Sequence, residues 1–246
     1  MQDASETFFW RVRTGECAPD GLARMSAVCD WLQEAASLNA ATLAFSKSDF
    51  EKAGENLTWV LARLKVAMER FPRWGEKVSV LTFPRGGRRI AAYRDFALAG
   101  EDGAPVGKAT SEWMMMDLST RKPVSIPAGV LEAANSPRPP VFGDGQPFPR
   151  LRWDCRETSP DALRFRAGRR DLDLNGHVNN VRYVEWLLES RPEKAWRCRS
   201  LDIAFKSETL VGEEVFSEAV ETEPGTYLHR VSSADGTDRA IAATGA

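Results

Sequence analysis

Two segments of this chain share one pattern. "DGLARMSAVCDWLQEA" from Asp20 aligns with "NGHVNNVRYVEWLLES" from Asn175, and in both an acidic residue followed by Trp-Leu comes ten residues later. Farther along, "LKVAMERFPRWGEKVSVLT" aligns with "LDIAFKSETLVGEEVFSEA". A repeat in this order predicts that one structural unit is formed twice.

Each repeat has the pattern of a short strand, an apolar helix and a run of strands. Asp20 and Asn175 suit helix N-caps, because their side-chain oxygens can accept from first-turn amides. Alternating segments such as "KVSVLTF" and "RRIAAYRDFAL", with "GEDG" and "ADG" as turns, predict antiparallel hairpins. The expected fold class is therefore α+β, with two long helices each wrapped by an antiparallel sheet.

Proline placement predicts where the repeats divide. Residues 123–150 hold seven of the fourteen prolines. Such a stretch lacks the backbone donors that a sheet centre needs. We expect an N-terminal domain at 1–122, a linker at 123–150 and a C-terminal domain at 151–246.

Composition excludes several function classes. A net charge of −2 argues against nucleic acid as a partner, and no apolar run is long enough to cross a bilayer. The acidic start "MQDASETFFWRVR" is unlike a secretory signal, so a cytoplasmic protein is expected. Cys17, Cys29, Cys155 and Cys198 form no CxxC pair, which argues against a zinc site or a disulfide scaffold.

Polar residues cluster where the second helix is expected to begin. Asp173, Asn175, His177, Asn179 and Asn180 lie within eight positions. A helix N-terminus favours negative charge, so this cluster could hold a developing oxyanion. The alternative is that Asp173 or Asn175 only caps the helix and His177 is solvated.

The matching places of the first repeat carry Leu22, Arg24 and Met25 instead. This asymmetry indicates that the second half performs the chemistry and the first supports it. Glu208, expected on the strand before Gly212, likewise stands where the first repeat has Phe71. Its carboxylate faces either solvent or the helix entrance, and spacing leaves both open.

Three stretches resemble the acyl-[acyl carrier protein] thioesterases, specifically their bacterial members. They are "DLDLNGHVNNVRYVEWLLES", "LTWVLARLKVAMERFPRWGEKVSV" and "SEWMMMDLSTRKPVSIP". The resemblance implies a tandem hotdog fold, a pseudo-dimer in one chain. It also implies hydrolysis of the thioester that joins a fatty acyl chain to acyl carrier protein.

The family's catalytic Asp, Asn and His fall on Asp173, Asn175 and His177, and its downstream glutamate falls on Glu208. Plant members often carry cysteine after that glutamate, where this chain has Thr209, so a cysteine nucleophile is not expected. Because the chain also lacks a Gly-x-Ser-x-Gly elbow, water is the expected attacker.

We expect His177 and Glu208 to activate water, Asn175 to position water or the carbonyl, and Asp173 to brace the loop. First-turn amides of the helix would hold the oxyanion. Which of His177, Glu208 and Asp173 acts as the base stays open.

Further residues are candidates for substrate binding. The resemblance suggests an acyl tunnel in the first half, lined by Trp31 and Trp59. Arg169 and Arg170, just before the cluster, could dock an acidic carrier protein. The remaining candidates are Asn179, Asn180 and Thr209.

Two other functions fit the same pattern. One is a hotdog thioesterase acting on acyl-CoA, and the other is a non-catalytic acyl-binding protein. No metal or cofactor is implied. Chain-length preference and the choice between monomer and homodimer are not readable from the residues.

Overall fold

The computed structural model describes residues 3–133, 136–143, 148–154, 161–191 and 197–246. The chain divides into two compact units, Met1–Pro147 and Phe148–Ala246. Each unit is one long helix packed on an antiparallel sheet.

The N-terminal unit has a sheet in the order β1-β3-β4-β5-β2, with β6 paired to the outer end of β5. Its strands are β1 (Glu6–Arg11), β2 (Leu57–Met68), β3 (Lys77–Arg88), β4 (Ala91–Gly100), β5 (Pro105–Asp117) and β6 (Lys122–Val124). Its helices are α1 (Met25–Thr42), α2 (Lys47–Lys52) and α3 (Ala128–Ala133).

Helix α1 packs on β1 and β3. It buries Val28, Trp31, Leu32 and Ala35, whose spacing of three and four puts them on one face. Period-two alternation places Phe96 and Leu98 of β4 on the buried face of the sheet. Together these apolar faces form the core of the unit.

The C-terminal unit has a sheet in the order β8-β11-β10-β9-β7. Helix α4 (Asn180–Glu189) packs on β9 and β10 and buries Val181, Val184 and Leu187. The strands are β7 (Leu163–Arg166), β8 (Ser200–Phe205), β9 (Glu214–Glu223), β10 (Thr226–Ser233) and β11 (Asp238–Gly245).

The two units share the local structure that the repeat predicts. Short 3₁₀ turns at Thr14–Glu16 and Arg169–Asp171 each precede a turn whose glycine, Gly21 or Gly176, has a φ near +80°. The long helices then start at equivalent positions, Met25 and Asn180. The repeat is therefore present in the backbone as well as in the sequence.

The predicted N-caps are wrong by four residues. The caps are Arg24 and Asn179, while Asp20 and Asn175 lie in the preceding turns. Asp20 accepts from the backbone amide of Leu22 at 3.0 Å, which stabilises the turn rather than the helix. An Asx–Gly pair is typical of both a turn and a cap, and local sequence does not separate them.

The first part of the predicted linker is structured as part of the N-terminal unit. Val124 pairs with Met115 across β6 and β5, and Val130 of α3 is buried against Met115 and Phe50. The boundary between the units falls between Pro147 and Phe148. Residues 134–135 and 144–147 of this stretch lie outside the described residues.

Helices of the described chain are all too short or too polar to cross a membrane. The described residues also contain no cluster of His, Cys, Asp and Glu suited to a metal ion. Cys17, Cys29 and Cys198 are free thiols, and Cys155 is not among the described residues.

Candidate active site

The polar cluster forms a short closed loop before α4. Leu172 and Val178 pair as an antiparallel bridge, and the backbone amide of Asp173 donates to the His177 carbonyl at 2.8 Å. Gly176 closes the turn with a φ of +79°. Because glycine adopts this conformation at no steric cost, the chain can reverse within four residues and leave His177 just before the helix.

The carboxylate of Asp173 holds this loop from the inside. Its Oδ1 accepts from the backbone amides of Asn175 at 2.8 Å and His177 at 3.3 Å. The side-chain amide of Asn175 lies 3.5 Å from the other carboxylate oxygen. Asp173 thereby fixes the backbone that carries both neighbours.

Glu208 lies in the loop between β8 and β9, not on a strand as expected from the sequence. The backbone amide of Val178 donates to the Thr209 carbonyl at 3.0 Å, which joins the two loops. Arg239 of β11 donates from Nη1 to the Glu208 carbonyl at 2.6 Å and to Ser207 Oγ at 3.2 Å. The position of Glu208 is therefore set by two long-range contacts.

These contacts bring two reactive side chains together. His177 Nε2 lies 3.1 Å from Glu208 Oε2. The side chains keep 28% and 41% of their accessible surface, so both can meet a solvent molecule or a ligand. Of the two orientations that spacing left open for Glu208, the structure has the one facing the helix entrance.

The N-terminal unit has the same backbone link without the reactive pair. There the amide of Ala23 donates to the Pro72 carbonyl at 2.8 Å, at the positions equivalent to Val178 and Thr209. The side chains that precede these residues are Leu22 and Phe71. One scaffold therefore carries an imidazole and a carboxylate in one unit and two apolar groups in the other.

Two matches to family models cover most of the chain. Residues 6–134 match the acyl-ACP thioesterase N-terminal domain, and residues 156–245 match the acyl-ACP thioesterase C-terminal domain. The chain belongs to the acyl-ACP thioesterase family.

Relatives in plants have similar sequences. The acyl-[acyl-carrier-protein] hydrolase FATB2 of Cuphea viscosissima is 31% identical over 201 residues, covering 77% of this chain and 48% of that protein. Oleoyl-acyl carrier protein thioesterase 1 of Arabidopsis thaliana is 31% identical over 197 residues, covering 74% and 54%. This family member thus spans about half the length of the curated relatives it matches.

Solved structures confirm the tandem hotdog fold. An acyl-ACP thioesterase from Bacteroides thetaiotaomicron superposes with a TM-score of 0.88 at 24% identity, covering 98% of this chain and 97% of that one. The 12:0-ACP thioesterase from Umbellularia californica gives a TM-score of 0.84 at 23% identity, covering 100% and 98%. At this identity the likeness establishes the fold.

Most backbone amides of the site loop already donate to protein acceptors, and the expectation that first-turn amides of α4 hold an oxyanion stays a prediction. The amides of residues 175–179 each donate to a protein acceptor, and the amide of Val181 donates to Asn179 Oδ1 at 2.9 Å. Asn175 and His177 in the same loop carry side-chain donors, which makes both candidates for holding an oxyanion.

Three of the candidate substrate-binding residues take part in the packing and capping of the fold. Thr209 is fully buried beside the phenol of Tyr183, whose pKa is raised by burial. Asn179 is the N-cap of α4. Trp31 is also buried, and its indole donates to Glu16 at 3.1 Å. Thr209 and Trp31 therefore have almost no accessible surface for a ligand, whereas Asn179 is half-buried and uses its side-chain oxygen in the cap. That these residues bind substrate stays a prediction.

The remaining candidates keep accessible surface. Arg169 and Arg170 are exposed at the turn before the site loop, and Asn180 is half-buried at the start of α4. Trp59 lines a cavity of about 90 Å³ inside the N-terminal unit. The cavity is lined by Ala36, Ser37, Ala40, Leu43, Phe45, Trp59, Pro84, Ala92, Tyr93, Arg94, Trp113 and Val130.

Sequence reasoning missed two residues, one at the candidate site and one at the cavity. Arg239 fixes the loop that carries Glu208, a role that depends on a contact 31 positions away. Arg94 lines the cavity although it lies in an apolar alternating strand. A period-two reading of "AYRDFAL" would have placed Arg94 on the same face as Phe96 and Leu98.

Proposed function

We propose that this chain hydrolyses the thioester of a fatty acyl chain carried by acyl carrier protein. The observation that carries the proposal is the 3.1 Å approach of His177 Nε2 to Glu208 Oε2, in a chain of the acyl-ACP thioesterase family. An imidazole beside a carboxylate can deprotonate water near neutral pH.

In the proposed reaction Glu208 orients the imidazole. A carboxylate at Nε2 favours the tautomer with the proton on that nitrogen, because the carboxylate accepts a hydrogen bond from it. The Nδ1 lone pair of His177 then takes a proton from water as the water oxygen bonds to the thioester carbon. When the tetrahedral intermediate collapses, the C–S bond breaks and the imidazolium returns its proton to the leaving thiolate.

Asn175 is the proposed donor to the oxyanion. Its side-chain amide lies on the loop braced by Asp173, and the neighbouring backbone amides are already used. One oriented donor to an oxyanion typically contributes about 100-fold to 1000-fold in turnover. Asp173 acts in this scheme through the loop, as a positioning residue.

The acyl chain is proposed to occupy the cavity of the N-terminal unit. Small side chains on one helix face, Ala36 and Ala40, leave room opposite the indoles of Trp59 and Trp113. Such a mostly apolar cavity suits an alkyl chain, because burying each methylene there is favourable by about 0.8 kcal/mol.

The test compares variants on a panel of acyl-carrier thioesters of different lengths. His177→Ala and Glu208→Gln should each reduce turnover by about 100-fold or more. Glu214→Gln, the same substitution on an exposed glutamate paired with Arg164, should keep wild-type turnover. Circular dichroism of each variant establishes that the fold is intact.

Wild-type turnover in both His177→Ala and Glu208→Gln would contradict the proposed site. Turnover of acyl-CoA esters without turnover of carrier-bound esters would assign the chain to acyl-CoA thioesterases instead. Binding without any turnover would make it an acyl-binding protein.

The carrier is proposed to dock near Arg169 and Arg170. Both guanidinium groups are exposed directly before the site loop, where they can attract an acidic partner. Reversing both to glutamate should raise KM for carrier-bound substrate by about tenfold, and this effect should shrink as salt increases. KM for a CoA ester should change less.

Arg88→Glu with Arg89→Glu is the matched control, because it reverses two charges at the end of a strand in the other unit. An equal rise in KM for both kinds of ester, or an equal effect of the control pair, would refute docking at Arg169 and Arg170.

A further inference from the structure

The cavity of the N-terminal unit contains one buried cation. Arg94 keeps only 9% of its accessible surface and lies on the inward face of β4 with Phe96 and Leu98. Most of the cavity lining is apolar or aromatic. A plain hydrocarbon chain has no acceptor for the N–H donors of a guanidinium, so binding such a chain does not account for Arg94 at this position.

Protein acceptors bind only some of the N–H donors of this guanidinium. Arg94 Nη1 donates to Asn39 Oδ1 at 2.6 Å and to Thr82 Oγ1 at 3.1 Å. Within the described ranges, the hydrogen bonds of this side chain come from Nη1 alone, and Nε and Nη2 are not among the fully enclosed atoms without a partner. Nε carries one of the five N–H donors of a guanidinium and Nη2 carries two, so more than half of these donors have no acceptor among the described residues.

The charge of Arg94 also lacks a direct counterion. Among the residues that the structure describes, no carboxylate forms an ion pair with it, and the carboxylate of Glu6 reaches it only through Asn39. Burial lowers the pKa of Arg94 to about 10, which still leaves it cationic at neutral pH.

The carboxylate next to Arg94 in sequence belongs to another network. Asp95 accepts from Thr110 Oγ1 at 2.6 Å and from the Val141 amide at 3.0 Å, and it pairs with Arg85 at 3.3 Å. Alternation along β4 turns the two side chains to opposite faces of the sheet. Asp95 therefore pairs with Arg85 and does not neutralise Arg94, whose side chain lies on the other face of the sheet.

We propose that the cavity binds acyl chains that carry an oxygen acceptor, which accepts hydrogen bonds from Arg94. The acceptor is a hydroxyl, an oxo group or a terminal carboxylate on the chain. This inference rests on the proposed function, because it specifies the substrate class of the same thioesterase. A buried cation with unmet donors is costly, and a ligand oxygen removes that cost where a methylene cannot.

The cavity has room for a ligand oxygen beside its apolar walls. Its volume of about 90 Å³ exceeds several-fold the roughly 10–15 Å³ that one enclosed water needs. A site built to bond an oxygen rejects the analogue that lacks it more strongly than an apolar pocket rejects an extra methylene. Selectivity should therefore follow the oxygen rather than chain length alone.

The experiment measures kcat/KM on carrier thioesters of one chain length. The panel contains the plain chain, chains with a hydroxyl or oxo group at successive positions, and a chain with a terminal carboxylate. For the wild-type protein we expect at least one oxygenated chain to exceed the plain chain by about 10-fold to 150-fold, the range of a hydrogen bond to a charged group. Comparing the hydroxyl and oxo chains with the chain that ends in a carboxylate shows whether the cavity prefers a neutral or an anionic acceptor.

Variants then test whether Arg94 is responsible. Arg94→Met keeps the length but removes the donors, and it should abolish the preference for the oxygenated chain. Arg94→Lys keeps the charge and should retain part of that preference. Arg88→Met, on the exposed end of β3, is the matched control and should leave the preference unchanged.

The wild-type panel decides the question even if Arg94→Met does not fold. Equal or lower kcat/KM for every oxygenated chain would overturn the proposal, as would an unchanged preference in folded Arg94→Met. Binding of the corresponding free acids, measured by calorimetry, separates the two proposals. If no thioester is hydrolysed but the oxygenated acids bind selectively, the hydrolase assignment fails and the Arg94 assignment stands.

Discussion

His229 should make the C-terminal unit sensitive to acid. The imidazole is fully buried in β10, with Nε2 2.8 Å from Thr244 Oγ1 and Nδ1 3.4 Å from Ser190 Oγ. Thr244 Oγ1 already accepts from Arg191, so its proton is free to point at Nε2. Burial, assisted by the charge of Arg191, lowers the pKa of His229 to about 3.

The size of the effect follows from this pKa and the unperturbed value of 6.5. Because the folded-state pKa is lower, the unfolded chain binds the extra proton. The stabilising contribution of neutral His229 is complete above pH 6.5 and is lost as pH falls from 6.5 towards 3. At pH 4.5, two units below the unfolded value, the loss amounts to about 3 kcal/mol.

The assay compares urea unfolding at pH 7.5 and 4.5 for wild-type protein and His229→Gln. Circular dichroism follows the transition, and hydrogen exchange in β10 assigns it to the C-terminal unit. Carboxylates titrate in both proteins, so they cancel in the comparison. The wild type should lose about 3 kcal/mol more than the variant between the two pH values.

The other histidine of the chain gives the control. His177→Gln changes a partly exposed imidazole, and it should keep the acid sensitivity of the wild type. If His229→Gln loses as much stability on acidification as the wild type does, the buried imidazole is not the origin of the effect and the reasoning is refuted.

Two further predictions concern the loops of the candidate active site. Arg239→Met should lower kcat about tenfold with little change in KM, because it releases the loop that carries Glu208 without touching substrate; an equal change in both constants, measured by steady-state kinetics, would contradict this. Gly176→Ala should lower the free energy of unfolding by about 1 kcal/mol, since no atom crowds the added Cβ and only the φ of +79° opposes it. Gly15→Ala, which has open space and no positive φ, should be neutral in the same urea titration.

The repeat could be read from the sequence because its signals are local. Asx–Gly turns, apolar spacing of three and four in the helices, and alternation in the strands depend on neighbouring residues. They predicted two helix-on-sheet units and marked Asp173 to Asn180 as the unusual segment. The helix starts were misplaced because a turn and a cap favour the same residues.

The sequence by itself determined the repeated units, the family and the segment that carries His177. Only the tertiary structure decided which side chain His177 meets, because Glu208 lies 31 positions away and its orientation depends on the Val178–Thr209 link and on Arg239. The same holds for Arg94, which has no carboxylate partner among the described residues because of the strand register and the burial around it. Local backbone preferences are set by adjacent residues, whereas side-chain partners are set by the packing of distant ones.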